Sequence, residues 1–157
     1  MEIEIKHVLN REVYSPSTLS LIKACIGNPT AEKVQGVLRE YFQGKGTLYA
    51  ALANGREIGI IGIEESSARY CTIKHIAVAE EYRRQGIGRQ LISSIQKMTT
   101  CESMVAETDA DAIVFYKKLG FNIHSLGEKH PGTERFRCLL KIAGSKCEPK
   151  DEKGELI

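Results

Sequence analysis

Ile76-Ala77-Val78-Ala79-Glu80-Glu81-Tyr82-Arg83-Arg84-Gln85-Gly86-Ile87-Gly88-Arg89 concentrates residue types that grip an anion. Three arginines and two glycines follow an apolar, strand-forming run and lead at once into a segment of helical periodicity. The first backbone N–H groups of a helix lack internal partners and point outward, toward whatever sits at its N-terminus. Glycine lets the backbone approach a phosphate without a Cβ in the way. Arginine adds charge and forked donors. Each hydrogen bond to a charged group contributes about 1.5–3 kcal/mol, so three or four would hold a pyrophosphate. Two nucleotide signatures fail on residues. No Lys-Ser or Lys-Thr follows Gly88, and Leu91 stands where a dinucleotide fingerprint needs its third glycine. A pyrophosphate site of another kind and a basic surface loop that merely turns the chain both remain.

Other reactive side chains are scattered. The five cysteines, at 25, 71, 101, 138 and 147, are odd in number and widely spaced, with no C-x-x-C. Free thiols in a cytoplasmic protein are expected rather than a disulfide framework or a zinc site. Cys71 lies on the strand leading into the arginine loop and is a candidate nucleophile. His7, His124 and His130 have no ligand spacing, so no metal is expected.

The elements that must position the loop follow from periodicity. Met1 to Val8 reads as a strand. Ser15-Pro16 supplies an N-cap and a first-turn proline for a helix that Gly27-Asn28-Pro29 breaks. A second helix starts near Thr30, with Val34, Val37, Leu38, Tyr41 and Phe42 on one face. Thr47 to Ala53 and Glu57 to Glu64 flank Asn54-Gly55, a hairpin signal. Arg69 to Ala79 is the next strand. Its apolar parity switches between Cys71/Ile73 and Ile76/Val78, which fits either a bulge near Lys74-His75 or a strand buried on both faces. Gly86 to Met98 predicts a helix with Ile87, Leu91, Ile95 and Met98 inward. Ser103 to Glu107 is a short strand. Thr108 and Asp111 suggest a capping box opening a helix whose inner face carries Ala112, Phe115, Tyr116 and Leu119. Phe121 to Leu126 and Glu134 to Ile142 form a closing strand pair around a turn-rich segment at 127–132. The order β-α-α-β-β-β-α-β-α-β-β predicts a mixed sheet covered by helices, an α/β class with α+β character.

With 157 residues the chain suits one domain, expected over 1–142, with a polar and disordered tail over 143–157. Hydrophobic residues at 42% and charged residues at 27% describe an ordinary globular protein. No apolar run approaches the ~20 residues needed to span a bilayer, and Met1 to Lys6 lack a secretory pattern. A net charge of +2, without a basic segment, gives no footprint for nucleic acid.

Arg83 to Gly88 reads R-x-x-G-x-G after a strand ending Ile76-Ala77-Val78. It resembles the acetyl-CoA signature of the GNAT superfamily of N-acetyltransferases. A second block, Glu107 to Phe121, resembles that family's N-x-x-A-x-x-(F/Y)-Y-x-K-x-G-F helix, with Asp109 where the family usually has Asn. The two blocks come in the family's order, and the element order fits over residues 1–142. The resemblance implies a GNAT-type domain: a mostly antiparallel central sheet with a parallel, splayed strand pair, flanked by about four helices. It implies that Ile76, Ala77 and Val78 offer backbone groups to the pantetheine arm of acetyl-CoA, with the Ile76 N–H polarising the thioester. Arg83, Arg84, Gln85, Gly86, Ile87, Gly88 and Arg89 would hold the pyrophosphate. Tyr116 would lie against the cofactor and protonate the departing CoA thiolate; read without the motif, it is a core aromatic. Asp109 would complement a helix N-terminus rather than face the polyanionic cosubstrate.

An N-acetyltransferase must deprotonate its amine. A lysine-like amine needs about 4–5 kcal/mol for this at pH 7, an α-amine only about 1. Glu64, Glu65, His75 and Glu107 are the candidate bases, and a water chain could serve instead. The acceptor is expected to be a primary amine, on a small molecule or at a peptide N-terminus, shaped by Ile26 to Thr30 and Gly127 to Glu134. Members of the resembling family often pair, so a homodimer through the last strands is a further expectation. The rival function is a non-catalytic acyl-CoA-binding sensor or partner module, which would not need the Tyr116 hydroxyl.

Overall fold

The computed structural model describes residues 2–8 and 14–142. The tail at 143–157, expected to be disordered, lies outside the described residues. The fold is the mixed α/β one expected, with four α-helices, seven strands and one parallel strand pair among the described residues. In chain order the elements are β1 (Glu4–Val8), α1 (Pro16–Cys25), α2 (Ala31–Phe42), β2 (Thr47–Ala53), β3 (Arg56–Glu65), β4 (Tyr70–Val78), a single 3-10 turn (Glu80–Tyr82), α3 (Ile87–Met98), β5 (Ser103–Asp109), α4 (Ile113–Lys118), β6 (Asn122–His130) and β7 (Thr133–Lys141). No helix among the described residues is long and apolar enough to cross a membrane.

The chain divides into two compact units, one of Met1–Glu64 with Ile73–Lys97, the other of Glu65–Thr72 with Met98–Ile157. In the first unit the strands run β1-β2-β3-β4. The expected Ser15 cap forms, its hydroxyl accepting the Thr18 N–H at 3.1 Å, and Thr30 caps α2 in the same way, accepting the Lys33 N–H at 3.2 Å. β2 and β3 pair antiparallel through Asn54-Gly55, whose φ values of 50° and 76° put both turn residues in the left-handed region that a tight hairpin requires. α1 and α2 cover one face of this sheet, burying Ile22, Leu38 and Tyr41 against Leu48 and Ile60. α3 covers the other face with Ile87, Leu91, Ile92 and Ile95. Two glycines of β3 set these distances. A Cβ at Gly59 would come within 3.2–3.3 Å of Ile87, Leu91 and the Ala77 carbonyl, and one at Gly62 would collide with the Tyr41 hydroxyl. Because strand residues alternate between faces, Gly59 serves α3 and Gly62 serves α2. Phe42 and Met98, expected inward, are half exposed; each ends its helix, where the buried stripe runs out.

In the second unit β5, β7 and β6 lie side by side and antiparallel, with Ala106 opposite Cys138 and Cys138 opposite Ile123. Two expectations change here. Thr108 does not open a helix. It pairs with Phe136 in β5, and the ladder extends to Asp109. α4 starts later, at Ile113, and its cap residue Ala112 makes no side-chain bond. The segment 127–132 is mostly strand rather than loop, because register irregularities after Ser125 and Glu128 absorb Leu126 and Lys129 and leave only Pro131-Gly132 as the turn.

Candidate active site

The first unit contains the arginine loop. β4 ends at Val78, and the Ala79 N–H bonds to the Ile58 carbonyl at 2.8 Å, fixing the strand's exit beside β3. The chain then turns through Glu80–Tyr82 and reaches α3 by way of two left-handed residues, Arg84 at φ 64° and Gly86 at φ 79°. Glycine adopts that conformation freely, but a side chain pays roughly 1–2 kcal/mol for it. Strain at a non-glycine residue in a loop is the kind that marks function. Arg83 does not extend from the loop: its Nε donates to the Val78 carbonyl at 3.0 Å and staples the loop to the strand end. Gln85 bonds back to the Glu81 carbonyl at 3.2 Å. Arg84 and Arg89 are exposed. The N–H groups of Ile87, Gly88 and Arg89 occupy the first turn of α3, which has no intrahelical acceptor for them. The residues therefore fit a pyrophosphate: outward N–H groups, an open Gly86 whose Cβ would meet nothing, and two exposed guanidinium groups.

On β4, Ile76, Ala77 and Val78 are half-buried, as backbone groups offered to a ligand must be. The Ile76 backbone N–H reaches the thiol of Cys25, the last residue of α1. Burial nevertheless pushes the Cys25 thiol up to about 12.

One turn of β4 earlier stands a cluster whose members the sequence did not connect. Tyr41 of α2, 2% exposed, hydrogen-bonds His75 Nδ1 at 2.6 Å. Lys74 Nζ lies 3.1 Å from Glu40 and 3.3 Å from Glu64. Adjacent strand residues should point to opposite faces, yet Lys74 and His75 both reach α2, at the point where apolar parity breaks. Burial, and then the Lys74 ammonium, hold His75 below its ordinary value, so the imidazole is neutral at pH 7. The Lys74 hydrogen bond holds Glu40 low. Burial acts against the Lys74 charge, but Glu40 and Glu64 outweigh it and raise the ammonium's value. Of the expected bases, Glu64 and His75 thus share a neighbourhood in the first unit. Tyr41, Lys74 and Glu40 are the residues that spacing did not single out: contacts across 34 positions leave no local signal, and Tyr41 also fits a core helix face.

The remaining candidates belong to the second unit. Tyr116 is 4% exposed in α4, with its ring edge-on to Phe115 and Phe121 at centroid distances of 5.1 and 5.2 Å. Glu107 is paired with Lys129 at 2.9 Å and Arg135 at 3.6 Å, and the Lys129 hydrogen bond holds it below the usual carboxylate range. Glu65 accepts the Thr99 hydroxyl at 2.9 Å. Asp109 accepts the Asp111 N–H at 3.1 Å, just ahead of α4. Cys71 is fully buried, and burial pushes its thiol up to about 12, so it is not a thiolate at neutral pH. Among the described residues no three His, Cys, Asp or Glu side chains gather as a metal site.

The profile of the acetyltransferase (GNAT) domain matches residues 44–123, from the end of α2 to the start of β6. The chain belongs to the GNAT acetyltransferase family. Solved GNAT structures share its fold. The ribosomal-protein-S18-alanine N-acetyltransferase of Escherichia coli is 20% identical over 90% of this chain and 94% of its own, with a TM-score of 0.73. A GNAT chain from Desulfovibrio desulfuricans is 18% identical over 90% and 100%, with a TM-score of 0.72. A GNAT acetyltransferase from Elizabethkingia anophelis, solved with acetyl-CoA bound, is 23% identical over 88% and 97%, with a TM-score of 0.68. No curated protein sequence matches the chain. As a GNAT protein the chain is an acyltransferase that takes acetyl from acetyl-CoA.

Proposed function

We propose that this GNAT enzyme acetylates a primary α-amine, on an amino acid-like small molecule or a peptide N-terminus, by direct attack on acetyl-CoA. The observation that carries the donor half is the strained loop into α3, where Arg84, Gly86 and the first N–H groups of the helix provide a pyrophosphate cradle. The Ile76 N–H exchanges the Cys25 sulfur for the thioester carbonyl and polarises it, a kind of donor typically worth about 3–4 kcal/mol in a barrier. The amine nitrogen then forms the C–N bond as the C–S bond breaks. Tyr116, at the family's tyrosine position, gives its phenolic proton to the leaving thiolate, and the amine proton goes through water to Glu64.

The acceptor class follows from how fully the candidate bases of the first unit are engaged by other partners. Glu64 shares the Lys74 ammonium with Glu40, its carboxylate 3.3 Å from Nζ and so already engaged. His75 has one ring nitrogen engaged by Tyr41. An α-amine near pKa 7.7–8.0 reaches its neutral form at a cost of about 1 kcal/mol and manages with such help, whereas an alkyl amine does not. The two carboxylates around one ammonium leave a net negative charge that favours a cationic amine on approach.

Mass-detected transfer from acetyl-CoA to a pooled set of amino acids, peptides, polyamines and aminoglycosides tests this, with Arg84→Ala/Gly86→Ala protein as control. Control-sensitive acetylation of an α-amine supports the reading. Transfer to polyamines or aminoglycosides alone refutes the acceptor class. Binding of acetyl-CoA with no transfer to any member favours a sensor or partner module.

A further inference from the structure

The proposed base Glu64 leaves His75 without a role, although the fold spends two glycines on reaching it. A Cβ at Gly62 would collide with the Tyr41 hydroxyl, and one at Gly46 would come within 3.0 Å of the Tyr41 ring. Tyr41 is thereby set in a slot with its hydroxyl 2.6 Å from His75 Nδ1. Which atom of this pair carries the shared proton decides what His75 can do. The phenol is 2% exposed, and burial, the largest cause, raises its pKa, so it is neutral and holds one O–H that needs an acceptor. Among the described residues His75 Nδ1 is its one partner. If Nδ1 carried the proton, the buried phenolic hydrogen would be left without an acceptor, which is the more costly arrangement. Among the described residues the other ring nitrogen has no protein partner, yet no buried side-chain nitrogen or oxygen there lacks one, so Nε2 is open to solvent.

We infer that Tyr41 is a positioning residue that holds His75 as the Nε2–H tautomer, so that His75 presents a neutral hydrogen-bond donor to the carbonyl oxygen of the acceptor and does not take the amine's proton. An α-amino-acyl group carries such an oxygen beside its amine; a polyamine does not. The acceptor part of this inference rests on the proposed function, whereas the tautomer does not. The groups around His75 agree with it. Tyr41 of α2 pairs with His75, while Glu40 of α2 and Glu64 of β3 hold Lys74 of its own strand; burial and the Lys74 ammonium next in sequence oppose protonation of the ring and outweigh the opposite pull of Glu40. Cys25 of α1, whose charge would act on Tyr41, stays a neutral thiol at pH 7.

Two arms test the inference. Nitrogen-15 NMR of histidine-labelled protein at pH 7 is expected to give His75 a pyridine-type shift at Nδ1 and a pyrrole-type shift at Nε2, and Tyr41→Phe should move both toward the average of the two tautomers. The reverse assignment, a doubly protonated ring, or no change in Tyr41→Phe would overturn it. This arm needs no turnover, so it stands even if the acceptor class proves wrong. In the kinetic arm, His75→Ala should raise KM for an α-amine acceptor about tenfold, the weight of one hydrogen bond, without moving KM for acetyl-CoA. His75→Gln, whose amide can donate, should recover most of that loss. A base role predicts instead that Gln is as damaging as Ala and that kcat falls by about a hundredfold or more in both.

Discussion

Gly62→Ala is the sharpest mechanical test of the Tyr41 slot. Gly62 is buried in β3, and the new methyl would overlap the Tyr41 hydroxyl, with the adjacent ring carbon only 2.6 Å away. Tyr41 cannot retreat cheaply. Its ring is flanked by Gly46, and it shares the α1–α2 core with Val34, Leu38 and Leu48. Overpacking of this kind costs typically about 1–3 kcal/mol. Displacing the hydroxyl from His75 forfeits a further ~1 kcal/mol of net hydrogen bonding. Urea unfolding should therefore show a loss of about 2–4 kcal/mol with little change in slope. A Tyr41→Leu background supplies the control. The shorter side chain vacates the slot, so Gly62→Ala should cost less than half as much there, a coupling that double-mutant cycles measure. A cost below about 0.5 kcal/mol in the parent, or equal costs in both backgrounds, would refute the packing argument.

Other expectations concern the loop, the acid and pH. Arg84→Gly relieves about 1–2 kcal/mol of left-handed strain and gives back part of it as chain entropy; stability should hold or rise by up to about 1 kcal/mol while the Kd for acetyl-CoA worsens about tenfold. A clear loss of stability would show that Arg84 φ is not strained. Tyr116→Phe should lower kcat by about a hundredfold or more with unchanged acetyl-CoA affinity; unchanged turnover across pH would return Tyr116 to a packing role. Because His75 is held below 6.5 by burial, the unfolded chain binds its proton first, so stability should decline from about pH 6.5 downward. Glu40 and Glu107 are held low by Lys74 and Lys129, so their contribution is present above 4.5 and goes as pH falls through the folded values. Urea midpoints measured against pH should lose only the upper limb in His75→Gln.

Local chemistry made much of this legible. Ser15, Thr30 and Asn54-Gly55 each act within three or four residues, and each does in the structure what its type implies. The passage from β4 through the R-x-x-G-x-G loop into α3 reads equally well because its geometry is made by its own backbone. Thr108 misleads for the converse reason. Its capping pattern is local, but a pairing partner 28 residues away, Phe136, keeps it in the strand. The same applies at 127–132, where β7 keeps a glycine-containing segment in register. His75 stands out by type, whereas Tyr41 looks like any core aromatic. What joins them is the packing of α2 over Gly62, which no periodicity reports.

The ammonium of Lys74 has a consequence for the enzyme's own integrity. It sits two positions from Ile76 on the strand proposed to hold an activated acyl thioester. Held between Glu40 and Glu64, with its pKa raised, it keeps its proton and its lone pair stays unavailable. Each unit of upward shift cuts the nucleophilic fraction about tenfold. The clamp is thus expected to protect Lys74 from acetylation by the enzyme's own cosubstrate. Peptide mapping after incubation with acetyl-CoA should find Lys74 unmodified in the parent and acetylated in Glu40→Gln/Glu64→Gln protein.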